Sequence, residues 1–404
     1  MRILWILPYS PLPATSGGKT RQFQLLRALA RRGHRITVLA QAKTLPSTME
    51  RARLESFLER LVLVRRRSLK NPKTLLAALL SPCPILASIN GFAPELGKRF
   101  EQLLEQHWDI IQIEHSYAFQ PFEAALQKSG RPFILSEHNV ESALGEASSQ
   151  QLPLLLRPIA PFDRWRYRRW EKRVLPQATR IVAVSNEDAQ QLSVISGRPV
   201  SVVVNGVDTT TFAANRPNPA SKRMLFVGNY DYAPNTDAVQ WAVETIMPEI
   251  WRQNPYIRLC VCGHAMPPQW AERWPDWRLE WQGFVPDLGR VQRKSLLFLA
   301  PLRHGGGSKL KTIEAMAAGL PVVSTAQGVS GLAVTRGREY VGGETAEELA
   351  AAAVALFNTP EQAIAMGEAG RRYVQKNHDW EIAARQLETV YLEMRTEKER
   401  QECA

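Results

Sequence analysis

Cysteine is scarce in this chain. The four present (Cys83, Cys260, Cys262 and Cys403) have neither metal-ligand spacing nor the look of a disulfide framework. Cys260 and Cys262 alternate along the apolar stretch IRLCVCG, which makes them packing residues in a reducing compartment, so no metal is expected. Long apolar runs are missing too. No stretch approaches the ~18 residues needed to span a bilayer. The opening run Ile3 to Leu7 ends at Pro8 without a small-residue cleavage pattern, so it reads as a first strand and not a signal peptide. The expected setting is therefore cytoplasmic. Acidic residues are short in the first half: residues 1–205 carry 29 Lys and Arg against 16 Asp and Glu, whereas the remainder carries 22 against 23. Such a half suits an anionic membrane, a phosphate-bearing acceptor or nucleic acid. With no RNA-binding or helix-turn-helix signature, nucleic acid is not expected.

The 404 residues, 45% hydrophobic and 22% charged, suffice for two globular domains with substantial cores. MRILWIL, the amphipathic KTRQFQLLRALARRG and HRITVLA form a β-α-β unit of the kind that opens a doubly wound α/β domain. WDIIQIEHSYAF and RPFILSEHNVES read as strands ending at Glu114-His115 and at Glu137-His138-Asn139. Ligands of open α/β sheets bind beyond the carboxyl ends of strands, where both clusters fall. The stretch 156–175 interleaves Trp165, Tyr167 and Trp170 with Arg164, Arg166, Arg168, Arg169, Lys172 and Arg173. On a helix this gives either an aromatic-basic surface for an anionic bilayer, or a packed helix with arginines reaching outward. The segment 210–221, rich in Pro, Asn and Ala, reads as a linker before a second α/β series. HDWEIAARQLETVYLEMRTEKER is a closing amphipathic helix.

The stretch Phe298 to Leu332 organises the second half: an apolar strand, then Gly305-Gly306-Gly307, then a helix with Ser308 as expected N-cap and Gly319 as its stop. A glycine loop feeding a helix N-terminus presents unpaired N–H groups and a favourable dipole to an anion. Arg303, Lys309 and Lys311 add positive charge, so the loop suits a phosphate or diphosphate. Glu314, one turn further on, can accept hydrogen bonds from the vicinal hydroxyls of a ribose. Glycines alone would be a surface turn; the charged set around them points to a site. Gly17-Gly18 before the first helix is a second, weaker phosphate contact.

P-L-R-x-G-G-G-x-K-L-K-x-x-E-A-M-A-A-G-L-P-V-V-S-T resembles the nucleotide-sugar site of glycosyltransferase family 4, retaining enzymes of GT-B architecture. Many members carry a further Glu eight positions before the one matching Glu314; this chain has Gly306 there and is similar to a subset with a glycine-rich loop preceded by Arg. Asp231-Tyr232-x-Pro234-Asn235 and His138-Asn139-Val140-Glu141 match the same subset. The resemblance implies two Rossmann-like α/β domains facing across a cleft, 1–208 and 222–378, with a helix at about 380–404 crossing back to the first. It implies transfer of a sugar from a UDP- or GDP-linked donor to a glycan or lipid-linked acceptor, in cell-surface polysaccharide synthesis and without a metal cofactor. Arg303, Lys311 and the amides of Gly305, Gly306, Gly307 and Ser308, with Lys309, would hold the diphosphate. Gly17, Gly18 and Gly228 are placed on the same donor side, Glu314 holds the ribose and the turn at Val285 reads the base. His138, Arg303 and Lys311 are the expected catalytic groups, and Glu114, His115, Asn139 and Glu141 lie on the acceptor side. The rival readings are a non-catalytic nucleotide-sugar or glycan-binding protein, motivated by Gly306, and a nucleotide-sugar epimerase, for which no convincing carboxylate set is visible.

Overall fold

The computed structural model describes residues 1–67, 71–91, 93–143, 160–306 and 309–402. Its chain forms two compact units. The first comprises Met1–Gly145, Leu154–Val204 and Ala383–Ala404; the second is built on Asn205–Ile382.

The first unit holds a parallel sheet of β1 (Arg2–Leu7), β2 (Arg35–Ala42), β3 (Arg60–Arg65), β4 (Ile110–Glu114), β5 (Ile134–Ser136), β6 (Arg180–Ala183) and β7 (Val200–Val202), in the order β3-β2-β1-β4-β5-β6-β7. Ile3 pairs with Ile36 on one side and Ile110 on the other. Helices cover both faces, so both faces of β1 are buried and Ile3 to Leu7 can run without polar alternation. The strand order reverses between β1 and β4. That reversal is a topological switch point, where a doubly wound sheet leaves a crevice at its carboxyl edge.

The second unit repeats the plan with β8 (Arg223–Asn229), β9 (Arg258–His264), β10 (Leu279–Gly283), β11 (Leu297–Ala300), β12 (Val322–Ser324) and β13 (Tyr340–Val341), ordered β10-β9-β8-β11-β12-β13. Its switch point lies between β8 and β11. Cys260 and Cys262 sit buried in β9, and burial pushes both thiols up, Cys260 to about 12. Gly263 pairs with Gly228 at φ +142°, and a Cβ there would lie 1.7 Å from the Gly228 carbonyl oxygen. The two strands touch at this point, and only glycine permits it.

Three expectations change. Asn205–Asp208 belong to the second unit rather than closing the first. Val207 N–H donates to His378 O at 2.8 Å, and Gly206 lies so close to Asp379 and Trp380 that a Cβ would meet Trp380 N at 2.7 Å. The expected linker is ordered: it contains a helix, Thr209–Ala213, capped by Asp208, and its Asn215 is buried and bonded to Gln292 at 2.8 Å. Proline and asparagine here shape a packed connection rather than a loose one. The helix Ala160–Val174 is also less of an aromatic-basic surface than its composition suggests. Tyr167 and Trp170 are core residues, and Arg166 is only 1% exposed; its Nη1 donates to the carbonyls of Ala78 (3.1 Å) and Ser81 (2.7 Å), and it pairs with Asp163 at 2.9 Å. Among the described residues no helix is long and apolar enough to cross a membrane.

Candidate functional site

In the second unit the switch point brings together the turn after β8 and the loop after β11. The helix behind that loop spans Leu310–Ala317, with Lys309 at its N-cap position and no side-chain cap; Gly319 ends it at φ +74°. Gly307 and Ser308, expected to offer amides and the cap, lie outside the described residues. Ile313 and Met316 face the core and Glu314 stays half-buried at the surface edge of the helix. Gly305 adopts φ +125°, and its carbonyl accepts from Gln327 Nε2. A Cβ on Gly305 would come within 3.1 Å of the Tyr232 hydroxyl.

The structure separates the three cations counted together in the sequence. Lys309 is buried, and its Nζ donates to the carbonyls of Gly305 (3.1 Å) and Gly306 (2.9 Å), so it braces the loop from within. Arg303 is half-exposed and grips both carboxylate oxygens of Asp237, which raises the guanidinium above its usual range. Lys311 donates to Asn235 Oδ1 and lies 4.9 Å from the Phe226 ring centre. Burial, helped by the Lys309 charge, lowers Lys311 to about 7, and burial raises Glu314 to about 7 against the pull of Lys311. Gly228 is the penultimate residue of β8, with the Asn235, Phe226 and Tyr230 side chains each 3.2 Å from where its Cβ would stand. The turn after β10 places Gly283 at φ +60°, Phe284 exposed and Val285 half-buried against the core. The arrangement offers an anion two aimed cations and a helix N-terminus, with a carboxylate one turn away.

In the first unit, strands β4 and β5 deliver Glu114, His115 and His138 to the mouth of the other switch point, beside the N-terminus of the helix Gly17–Arg31. Ser16 caps this helix by accepting from Lys19 N–H at 3.5 Å. Gly18 is needed for close approach: a Cβ there would meet the Tyr9 hydroxyl at 2.7 Å and His138 Nδ1 at 3.4 Å. Glu114 is fully buried yet held below its usual pKa, because burial is outweighed by hydrogen bonds. His138 Nε2 lies 3.0 Å from its Oε2, Gln22 Nε2 donates to the same oxygen at 2.6 Å, and Gln112 Nε2 donates to Oε1. An ionised carboxylate only accepts, so Nε2 carries the His138 proton and Nδ1 faces Gly18. His115 is buried at φ +65°, a strained conformation for histidine, with its ring 4.2 Å from that of His138 and its Nε2 3.2 Å from the Tyr9 hydroxyl. Burial lowers both imidazoles, His115 the more strongly. Asn139 and Glu141 lie half-buried in the turn after β5, and burial beside Glu171 raises Glu141 to about 8.

Glu114 is thus tied directly to His138. Tyr9, Gln22, Gln112 and, in the second unit, Asp237 and Gln327 were invisible as site residues in the sequence. Only Asn235 had a signal, as the last residue of the Asp231-to-Asn235 motif.

The model of a family described as Glycosyltransferase Family 4 matches residues 15–211, and that of Glycosyl transferases group 1 matches residues 221–359. The glycogen synthase of Mycobacterium tuberculosis is 25% identical over 310 residues, 73% of this chain and 72% of its own. Among solved structures, sucrose-phosphate synthase from Thermosynechococcus elongatus superposes with a TM-score of 0.69 at 17% identity, over 98% of this chain and 99% of its own. The Anabaena protein HepE in complex with UDP-glucose gives 0.67 at 16% identity, over 96% and 99%.

Proposed function

The chain belongs to glycosyltransferase family 4 and is a hexosyltransferase of GT-B fold, and on that premise we propose that it moves a hexose from a UDP- or GDP-linked donor to a hydroxyl, with retention of configuration. The observation that carries the donor site is the pair of cations Arg303, in the loop after β11 and held by Asp237, and Lys311, in the first turn of Leu310–Ala317 and held by Asn235. As the glycosidic bond breaks, negative charge grows on the leaving diphosphate. These two cations and the helix dipole stabilise it without reorganising. Glu314 accepts from the ribose hydroxyls, and the backbone near Val285 reads the base. His138, its Nε2 fixed by Glu114, presents Nδ1 to a sugar hydroxyl. Retention follows from attack on the face of departure, with the leaving phosphate taking the acceptor proton, so no dedicated base is assigned. The cations of the loop supply the charge a metal would otherwise bring, and chelation with EDTA is expected to leave donor binding intact.

A thermal-shift panel of UDP, GDP and their sugars on wild type and Glu314→Ala tests this reading. One nucleotide series should raise the melting point of wild type and lose that effect in the variant. If no nucleotide shifts wild type, the loop is not a donor site.

The acceptor is proposed to be a lipid-linked glycan or polysaccharide precursor at an anionic membrane face. Phe162 and Trp165 stand about half-exposed and stacked at 5.6 Å on the outer side of Ala160–Val174, Arg169 lies 4.9 Å over the Trp165 ring, and Arg168 and Lys172 are exposed beside them. Apolar rings among exposed cations suit a headgroup layer. Vesicles containing phosphatidylglycerol should bind the protein, and the Phe162→Ser, Trp165→Ser pair should release it. Equal binding by wild type and variant would remove the membrane from the proposal. Arg166 is unsuited to this test, because it is buried.

A further inference from the structure

Arg303 in the donor loop and Lys311 in the helix behind it converge on one helix, Ala233–Trp241, which follows β8 on the other side of the switch point. Arg303 Nε donates to Asp237 Oδ2 at 3.0 Å and its Nη2 to Oδ1, with the guanidinium carbon 5.2 Å from the Trp241 ring centre. Lys311 Nζ donates to Asn235 Oδ1. Asn235 is 5% exposed and its amide is locked, since Nδ2 donates to the Asn229 carbonyl at 2.7 Å and thereby turns Oδ1 towards the lysine. Pro234 in the first turn fixes the start of the helix, so both partners sit on a rigid element.

We propose that this helix is a cation cradle, in which Asn235 and Asp237 are positioning residues that hold Lys311 and Arg303 ready for the diphosphate; the inference rests on the reading of the loop as a nucleoside diphosphate site. Each grip leaves donors to spare. A guanidinium has five N–H bonds and Asp237 takes two; an ammonium has three and Asn235 takes one. Long cationic side chains lose rotamer freedom when a ligand immobilises them, and a cradle removes much of that freedom before the ligand arrives. Asp237 also opposes the phosphate by neutralising Arg303. That opposition is small, because the pair is solvent-accessible and screened, with half of the Arg303 side chain exposed. Orientation therefore outweighs neutralisation, and removing the carboxylate should weaken phosphate binding rather than strengthen it. Lys309, bonded inward to its own loop, has no share in this.

Calorimetric titration of the full chain with UDP and GDP, and with uridine and guanosine, tests the cradle on wild type, Asp237→Ala, Asn235→Ala, Arg303→Ala and the double variant of Asp237 and Arg303. Asp237→Ala should weaken the bound diphosphate roughly three- to tenfold, the range for one immobilised long side chain, and leave the nucleoside unchanged. In the Arg303→Ala background the Asp237 change should cost nothing further, because the two act as one unit. Asn235→Ala should give a loss of similar size; should it lower the melting point steeply, Asp237→Asn, which keeps one acceptor on the helix surface, takes its place and should lose less than Asp237→Ala. Unchanged or tighter diphosphate binding by Asp237→Ala, or additive losses in the double variant, would overturn the cradle while leaving the donor site standing. Wild type that binds neither diphosphate would overturn the donor site itself, and the cradle with it.

Discussion

Lys311 and Glu314 lie one turn apart on the same helix, and each is held near pH 7 from opposite directions. Free of ligand at pH 8, a lysine with a pKa of about 7 is about one-tenth charged, and a carboxyl with a pKa of about 7 is about nine-tenths ionised. On the proposed reading, a diphosphate needs Lys311 charged and ribose hydroxyls need Glu314 ionised. Binding at pH 8 should therefore take up about 0.9 proton at Lys311 and release about 0.1 at Glu314, a net uptake of about 0.8. At pH 6 the balance reverses to a net release of about 0.8 from this pair. Above pH 7 the phosphate itself, with its second ionisation near about 6, contributes little. Affinity should then fall about tenfold per pH unit on the alkaline side until Lys311 begins to titrate in the complex.

The assay is calorimetry of UDP or GDP in two buffers of different ionisation enthalpy at pH 6, 7 and 8. Lys311→Met should lose the alkaline uptake, and Glu314→Gln, which removes a charge that raises Lys311, should show an uptake of more than about 0.5 proton at pH 7 that is hidden in wild type by an opposing release. The same pair shapes the stability of the free protein. Lys311 is depressed below its unfolded value, so stability rises with pH between about 7 and the ordinary lysine range near 10.5; Glu314 is raised above its unfolded value of 4.5, so stability falls as pH climbs from there to about 7. Both penalties are in force near pH 7, where ligand should raise the melting point most. A proton count of the same sign at pH 6 and pH 8, or an affinity flat from pH 7 to 9, would refute the reasoning.

Glu114→Gln should leave a donor facing a donor at a buried site and cost about 1.5–3 kcal/mol, the scale of a hydrogen bond to a charged group; it should also lower His138 further, since the Glu114 carboxylate raises it, and an unchanged melting point would count against the ionised carboxylate. Gly263→Ala should cost more than about 3 kcal/mol, because the new Cβ stands 1.7 Å from the Gly228 carbonyl at φ +142°, and little soluble protein is expected. Gly319→Ala should cost about 1 kcal/mol for its left-handed φ of +74° and somewhat more for the approach of Arg371 Nη2 at 2.9 Å, read as a lowered thermal midpoint.

What could be read from the residues follows from how far apart the partners lie in the chain. The strands were legible because both faces of a parallel sheet are buried and their apolar runs are continuous, as in Ile3 to Leu7 and Leu297–Ala300. The proposed donor loop stands out in the sequence because its glycines, cations and Glu314 fall within a dozen residues whose spacing matches one helix turn after another. Composition misled where a side chain's role is set by what packs on it: Arg166 looked like a surface cation, yet it caps the end of Pro72–Leu80 from inside the unit. The same limit hid the bond of Glu114 to His138, 24 residues away, and the whole role of Asp237, 66 residues from Arg303. Both pairs are made by the fold at a switch point, where strands distant in sequence become neighbours. A pattern within one segment carries no trace of such a meeting. Charge alone would have given Arg303, Lys309 and Lys311 one shared task, and only their partners distinguish two aimed cations from a brace. The proposed donor site therefore rests as much on the helix Ala233–Trp241 as on the glycine loop, and substitutions on that helix are where the two contributions can be told apart.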